Sequence, residues 1–415
     1  MKNALTHHAS ADLGAVRRHN LSLLLRALRQ TPGLSRAALA ERTGMTKGTA
    51  GRLVEELLKR GLVQWIEEPT TSPTARRAKK GRPALPLKLS DATLCAIGLE
   101  IDVDHLGLCL IDLRGEVRRD VVVARHNDQP GPTLAALTKL GTSGLAYARA
   151  QGLDVMAGVL SLPGLVDSRR GHLYVAPNLG WRDVPVCDLL AKAWPALGSH
   201  LSIENEANAA ALSEQSALGA AGQNFVYVTL GVGVGAGVML DGSLFRGARG
   251  FGGELGHTTI VPGGPQCRCG NRGCLEALVG REALARLARS KLGKSLKGAR
   301  TDAEVVDALA GLACDEHRAA LLVLAQVGRW LGAGLSAFAN LFDPEVIVLG
   351  GYGVALAPFL IAPIKEHLGQ NVLGAAWAPI QVRAARASTN AQRLGAAYAA
   401  IERVFDDPTL PPIST

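Results

Sequence analysis

A histidine at position 257 and cysteines at 267, 269 and 274 put one imidazole and three thiols in a short stretch, GELGH followed by CRCGNRGC. These donors suit Zn²⁺, which takes tetrahedral N and S ligands and needs no water to complete its shell. Four protein ligands leave no open position for a substrate water. The chemistry expected is therefore the stapling of a Gly-rich loop by a structural zinc rather than metal catalysis. The alternative is three buried cysteines on a turn beside an unrelated histidine, since Cys also packs as a small core residue.

The elements that must hold this loop belong to a chain of 415 residues, 47% of them hydrophobic, enough for two or three domains. No uninterrupted apolar stretch has transmembrane length, and the opening MKNALTHHASADLG lacks the apolar core of a secretion signal. A cytoplasmic protein with no membrane partner is expected. Seven cysteines, an odd number with three in one cluster, suit a reducing compartment and a metal site better than a disulfide framework.

Charge divides the chain. Residues 1–90 hold seventeen Lys and Arg against six Asp and Glu, an excess of +11 in a protein whose total is +9. A basic segment on a nearly neutral body points to a polyanion partner for that segment, nucleic acid above all, the alternative being a solvated basic face. The same segment reads as a winged helix-turn-helix. Leu21, Leu24, Leu25 and Leu28 repeat at helical spacing, and Pro32 and Gly33 end that helix. Ser35 is placed to cap RAALAERT, which stops at Gly44, and Thr46 to cap KGTAGRLVEELLKR, which stops at Gly61. Leu53, Val54, Leu57 and Leu58 face inward while Lys47, Thr49 and Arg52 face outward, so Ser35, Thr46, Lys47, Thr49 and Arg52 are candidate contacts to double-stranded DNA. Gly48 and Gly51 cost helix stability and imply close approach to DNA or to a neighbouring helix. A helical packing module is the plainer alternative.

Two short strands, in LVQWIEEP and LPLKLS, flank a basic wing. Its Arg76, Arg77, Lys79 and Lys80 suit phosphates, and Arg82 between Gly81 and Pro83 suits a narrow minor groove; a flexible linker has the same composition. From about residue 91 the pattern changes to an α/β body. LCAIGLEI, HLGLCLIDL and EVRRDVVVA read as a meander, and later apolar strands end in glycines where a backbone can approach a ligand. No internal repeat is visible in the sequence.

Several motifs in order then carry a resemblance: ENEANAAA from Glu204, TLGVGVGAGV from Thr229, GELGH, CRCGNRGCLE and VLGGYG from Val348. The chain resembles the ROK family of sugar kinases and sugar-responsive repressors, most of all its xylose-repressor type. The resemblance implies an N-terminal winged helix-turn-helix on residues 1–90 and an actin-like two-lobed sugar-kinase fold. One lobe would comprise 91–204 with 390–407 and the other 205–389. It also implies that His257, Cys267, Cys269 and Cys274 hold zinc, that Asn205, Glu206, Glu254, His257 and Glu276 meet sugar hydroxyls, and that Asn178 joins them. Carboxylates and amides are the chemistry that paired hydroxyls require.

Departures from the kinase pattern weigh against catalysis. The Asp-x-Gly-Gly-Thr turn of family kinases is here Glu100-Ile101-Asp102-Val103-Asp104, three acids and two branched residues where bare N–H groups would receive phosphates. Val232 stands where a second phosphate loop offers a hydroxyl, and Glu206 stands at the catalytic Asp position. The expectation is a regulator, not an enzyme: a dimer or tetramer released from operator DNA by a monosaccharide of the xylose or glucose class. Its alternatives are an active sugar kinase that also binds DNA, or a repressor governed by a protein partner.

Overall fold

The computed structural model describes residues 13–66, 85–90, 93–218, 222–386 and 390–413. Helices α1 (Leu13–Gln30), α2 (Arg36–Thr43) and α3 (Lys47–Lys59) precede strands β1 (Val63–Trp65) and β2 (Leu87–Leu89). The expected caps form. Ser35 Oγ accepts from Ala38 N at 3.2 Å, Thr46 Oγ1 accepts from Thr49 N at 3.2 Å, and Gly44 closes α2 with φ 69°, so each end satisfies backbone groups that a helix leaves orphaned. β1 and β2 pair antiparallel with Val63 opposite Leu89. The wing between them, with Arg76, Arg77, Lys79, Lys80 and Arg82, lies outside the described residues. Gly48 and Gly51 have nothing within 4 Å of where a Cβ would stand, so no neighbouring helix exploits their smallness.

The body has two five-stranded sheets. The first contains β3 (Leu94–Ile101), β4 (His105–Asp112), β5 (Val117–Ala124), β6 (Asp154–Leu162) and β10 (Leu201–Asn205), with α4 (Pro130–Ala150) between β5 and β6. A small sheet of β7 (Leu165–Asp167), β8 (His172–Ala176) and β9 (Trp181–Val184), then α5 (Val186–Ala193), precede β10. After α6 (Glu206–Leu218) the second sheet takes β11 (Phe225–Leu230), β12 (Val234–Leu240), β13 (Ser243–Leu244), β14 (Val346–Gly351) and β15 (Gln381–Ala384). Its helices are α7 (Leu275–Val279), α8 (Arg281–Leu292), α9 (Asp302–Cys314), α10 (Arg318–Phe342) and α11 (Gly353–Asn371); α12 (Ala391–Asp406) ends the chain's helical part.

Both sheets follow one plan. In each, an antiparallel meander of three strands is extended on its first strand by two parallel ones, β6 and β10 in one lobe and β14 and β15 in the other. This is a structural repeat that the sequence does not display, because strand order is set by pairing and not by residue identity. α10 is long and apolar enough to cross a membrane, but Gln326 and Arg329 interrupt it, and Val323, Leu324, Val327, Leu331 and Leu335 are buried in the second lobe. It is a core helix.

The winged helix does not stand apart. Leu21, Leu25 and Leu28 of α1 belong to one hydrophobic core with Ala400, Val404 and Phe405 of α12, and that core continues into Ala96, Met156 and Val159 of the first sheet. α12 in turn lies so close to β3 that a Cβ at Gly98 would stand 2.0 Å from the Arg393 carbonyl oxygen. The first sheet includes Asn205 through its pairing with Leu162, and α6 packs on α12 as well as on β11 and β12.

Candidate functional site

The structure brings Asn178, Asn205, Glu206, Glu254, His257 and Glu276 to one small cavity of about 50 Å³ between the lobes. Local folding explains each placement. Asn205 ends β10 and caps α6: its Oδ1 accepts from Ala207 N at 2.8 Å and Asn208 N at 3.2 Å, while Nδ2 donates to Gly164 O at 3.0 Å. Glu206 therefore enters the cleft from the first turn of α6. Burial raises its pKa well above the ordinary carboxylate range, and Asp102, Glu100, Glu276 and Glu254 push it the same way. Glu254 is raised too, by burial foremost.

Glu276 follows Cys274 directly into α7, and its Oε2 accepts from Val234 N at 3.0 Å. That contact requires glycine at 233, where a Cβ would lie 2.5 Å from the same oxygen. His257 closes a short turn with Nδ1 3.8 Å from Cys267 Sγ and Nε2 3.9 Å from Glu254 Oε2. One ring nitrogen thus faces the thiols and the other the cavity. Asn178 Oδ1 accepts from Nη1 of Arg268, a residue of the cysteine loop, at 3.3 Å.

The donor atoms of His257, Cys267, Cys269 and Cys274 all lie within 4.8 Å of one another, with Cys269 and Cys274 sulfurs 3.8 Å apart. A tetrahedral Zn²⁺ with sulfurs at about 2.3 Å puts them about 3.8 Å apart, so the four residues fit this ion. The loop is shaped by Gly273, at φ 72°, where a Cβ would meet the Val261 carbonyl oxygen at 1.7 Å. Burial pushes the Cys267 thiol up to about 12 and raises Cys274, so a metal entering here displaces protons.

A second cavity, of about 430 Å³, adjoins the first through shared residues Pro163, Asn178, Glu206 and Gly233. The acidic turn after β3 lines it. Glu100 is buried and takes Arg393 Nη1 at 3.2 Å and His105 Nε2 at 3.5 Å; Asp104 takes His105 Nδ1 at 2.8 Å and, across the cleft, Arg281 Nη1 at 3.6 Å. Hydrogen bonding to Asp104, then to Glu100, holds the His105 pKa up at about 10, so the ring is an imidazolium at neutral pH. Asp102 is raised, by burial first and by Glu100 second. Val232 lines this cavity as well.

Three residues with a part in the site were missed in the sequence. Glu204, buried beneath Asn205, accepts from Asn205 N and Asn208 Nδ2, each at 3.0 Å, and pairs with Arg246 Nη2 of the other lobe at 2.7 Å. Glu204 and Asn208 lie inside the ENEANAAA motif, where nothing but their burial distinguishes them from cleft residues. Arg246 has no local signal at all. In the winged helix, Lys47 and Arg52 are exposed, whereas the hydroxyls of Ser35 and Thr46 are used in capping and Thr49 accepts from Thr46 Oγ1 at 2.9 Å.

A ROK family model matches residues 96–403. The chain belongs to the ROK family. A MarR family model matches residues 22–78, the helices and the start of the wing. The chain is 29% identical to the xylose repressor of Bacillus spizizenii over 95% of its own length and 98% of the relative's. Among solved structures it resembles a ROK family transcriptional regulator described as a homolog of the E. coli MLC protein, with TM-score 0.81, 25% identity and coverage of 94% and 97%. It also resembles a ROK family glucokinase from Streptomyces griseus in complex with glucose and AMPPNP, with TM-score 0.63, 30% identity and coverage of 74% and 99%. The glucokinase likeness covers 74% of this chain and the regulator likeness 94%.

Proposed function

We infer that this chain is a sugar-responsive DNA-binding transcriptional repressor of the cytoplasm. The observation that carries this is the continuity of the winged helix with the cleft: α1 shares a core with α12, α12 packs on α6, and α6 begins at Glu206 in the polar cavity. A sugar of the xylose or glucose class, held by Asn178, Asn205, Glu206, Glu254, His257 and Glu276, shifts the population of lobe arrangements, and α12 carries that shift to α1. It does so only to the extent that it binds the two arrangements with different affinity. In a homodimer or tetramer a small rotation of each winged helix changes half-site spacing and releases the operator. His257, Cys267, Cys269 and Cys274 would hold a structural zinc that keeps the His257 and Glu276 wall in place, with no catalytic part.

The second reading is a sugar kinase. It draws on the glucokinase likeness and on Glu100, Asp102 and His105, whose donor atoms lie within 4.8 Å of one another and so could gather round a cation. Against it stand the imidazolium character of His105, the carboxylates of the turn and the absence of a hydroxyl at Val232. A coupled ATP-turnover assay over a sugar panel, run beside operator gel shifts, separates the two. Operator release by sugar with no ATP turnover is expected; sugar-dependent ATP turnover without operator binding overturns the repressor reading. Operator binding that no sugar relieves would instead favour control by a protein partner.

A further inference from the structure

The cavity that gathers the six polar residues has room for about four waters. A sugar ring is larger than four waters, so a sugar seated there extends past Glu206 into the adjoining cavity. One ring leaves most of that second space, about 430 Å³, unfilled.

The second cavity is unsuited to a polyphosphate. Its acidic wall of Glu100, Asp102 and Glu206 offers no cation to one, and its lining cations, His105 and Arg281, are already engaged by Glu100 and Asp104. It is nevertheless a cavity of ordinary small-molecule size, within the range of about 300–1,000 Å³. Asn178 and Gln392 offer donors and acceptors, and Tyr352 offers a ring surface. Thr229 Oγ1 is buried on the same wall with no hydrogen-bond partner among the described residues. An unmet buried hydroxyl is costly, and a ligand hydroxyl would satisfy it.

We propose that the larger cavity is a second sugar subsite and that the effector is a disaccharide, its inter-ring linkage passing Glu206. This rests on the reading of the small cavity as a sugar site. The first ring meets Asn205, Glu254 and His257, and the second lies among Asn178, Gln392, Tyr352 and Thr229. A linkage oxygen has no proton and can only accept. Burial favours the protonated form of Glu206, the form that has the O–H such an oxygen needs.

The test is calorimetric titration of the full-length protein with glucose and xylose, and with cellobiose, maltose, gentiobiose and xylobiose. At least one disaccharide should bind tenfold or more tightly than its own monosaccharide. Ala355→Trp, on the exposed face of α11 that lines the larger cavity, should abolish that advantage and leave monosaccharide affinity within twofold. Gln392→Ala should reduce it in the same direction, which guards against a misfolded Trp variant. Monosaccharide binding with no disaccharide advantage overturns this inference alone. No binding by any sugar removes the sugar-site reading and this inference together. An ATP analogue that binds the wild type and is excluded by Ala355→Trp overturns the assignment of the cavity to a second sugar ring.

Discussion

Ala209 and Gly395 meet backbone to backbone: a Cβ at position 395 would stand 1.6 Å from the Ala209 carbonyl oxygen. This contact joins α6, which opens on the small polar cavity, to α12, which shares a core with the winged helix. Further along α12, Glu402 accepts from Arg26 Nη1 at 2.8 Å and also from Arg29, whose guanidinium lies 4.6 Å from the centre of the Phe405 ring. Movement at the start of α6 therefore has a packed route to α1.

Two variants separate the parts of this route. Gly395→Ala must push α6 and α12 apart, a cost of about 1–3 kcal/mol for overpacking that melting curves should register. Glu402→Ala touches only a half-exposed ion cluster, whose loss costs about 1 kcal/mol or less. Its effect should fall on coupling instead. Sugar affinity and sugar-free operator affinity should stay within twofold, while the ratio of operator Kd with and without sugar shrinks by about 2- to 30-fold, the range for residues along a coupled network. An unchanged ratio in both variants would remove α12 from the mechanism.

Glu206 makes stability depend on pH in a definite direction. Its pKa is raised in the folded state, by burial first and then by Asp102, Glu100, Glu276 and Glu254. The unfolded chain ionises near the ordinary glutamate value, so the folded protein is penalised progressively as pH rises above about 4.3 and through the folded pKa. Glu206→Gln carries no such penalty. The Tm of the variant should exceed that of the wild type by an amount that grows as pH rises, then levels once Glu206 is ionised; parallel Tm curves from pH 5 to 8 would show that Glu206 does not titrate late.

Loss of a zinc from His257, Cys267, Cys269 and Cys274, the four residues proposed to hold it, should be felt in the cleft. Cys269 is exposed, so Cys269→Ser tests the loop with little disturbance of the core. Metal analysis should find one zinc per wild-type chain and none in the variant. Because His257 and Glu276 lean on this loop, sugar affinity should fall about tenfold, the low end for loss of a group that orients ligands. A metal-free variant with wild-type sugar affinity would confine the cluster to stability.

The sequence and the structure agree where local chemistry decides. Ser35, Gly44, Thr46 and Gly61 punctuate the winged helix, and each acts through its own backbone geometry, so residue type alone reveals it. The gathering of His257, Cys267, Cys269 and Cys274 is legible for the same reason, since the four residues fall within eighteen positions. What the sequence hides depends on pairing at a distance. The shared plan of the two sheets, the Arg246–Glu204 pair between lobes and the single core that joins α1 to α12 each unite residues far apart in the chain. Gly395 looks like a helix weakness until α6 is seen against it. Gly48 and Gly51 are the converse: their room opens to none of the described residues.

That open room bears on DNA recognition. Lys47 and Arg52 are exposed on the same helix as Gly48 and Gly51, and neither side chain has an ion-pair partner among the described residues. A helix with small residues between two free cations can approach bases closely, with the cations reaching a base edge or a phosphate. The two variants should then behave differently. Arg52→Ala should lower the preference for operator over random DNA by about 1–3 kcal/mol if it reads a base, whereas Lys47→Ala should weaken both about equally and reduce the slope of log K against log salt by about one. Gly48→Leu, whose Cβ meets nothing among the described residues, should impair operator binding through bulk while its melting temperature stays at or above the wild-type value. Wild-type operator affinity in Gly48→Leu would place the DNA on another face of α3.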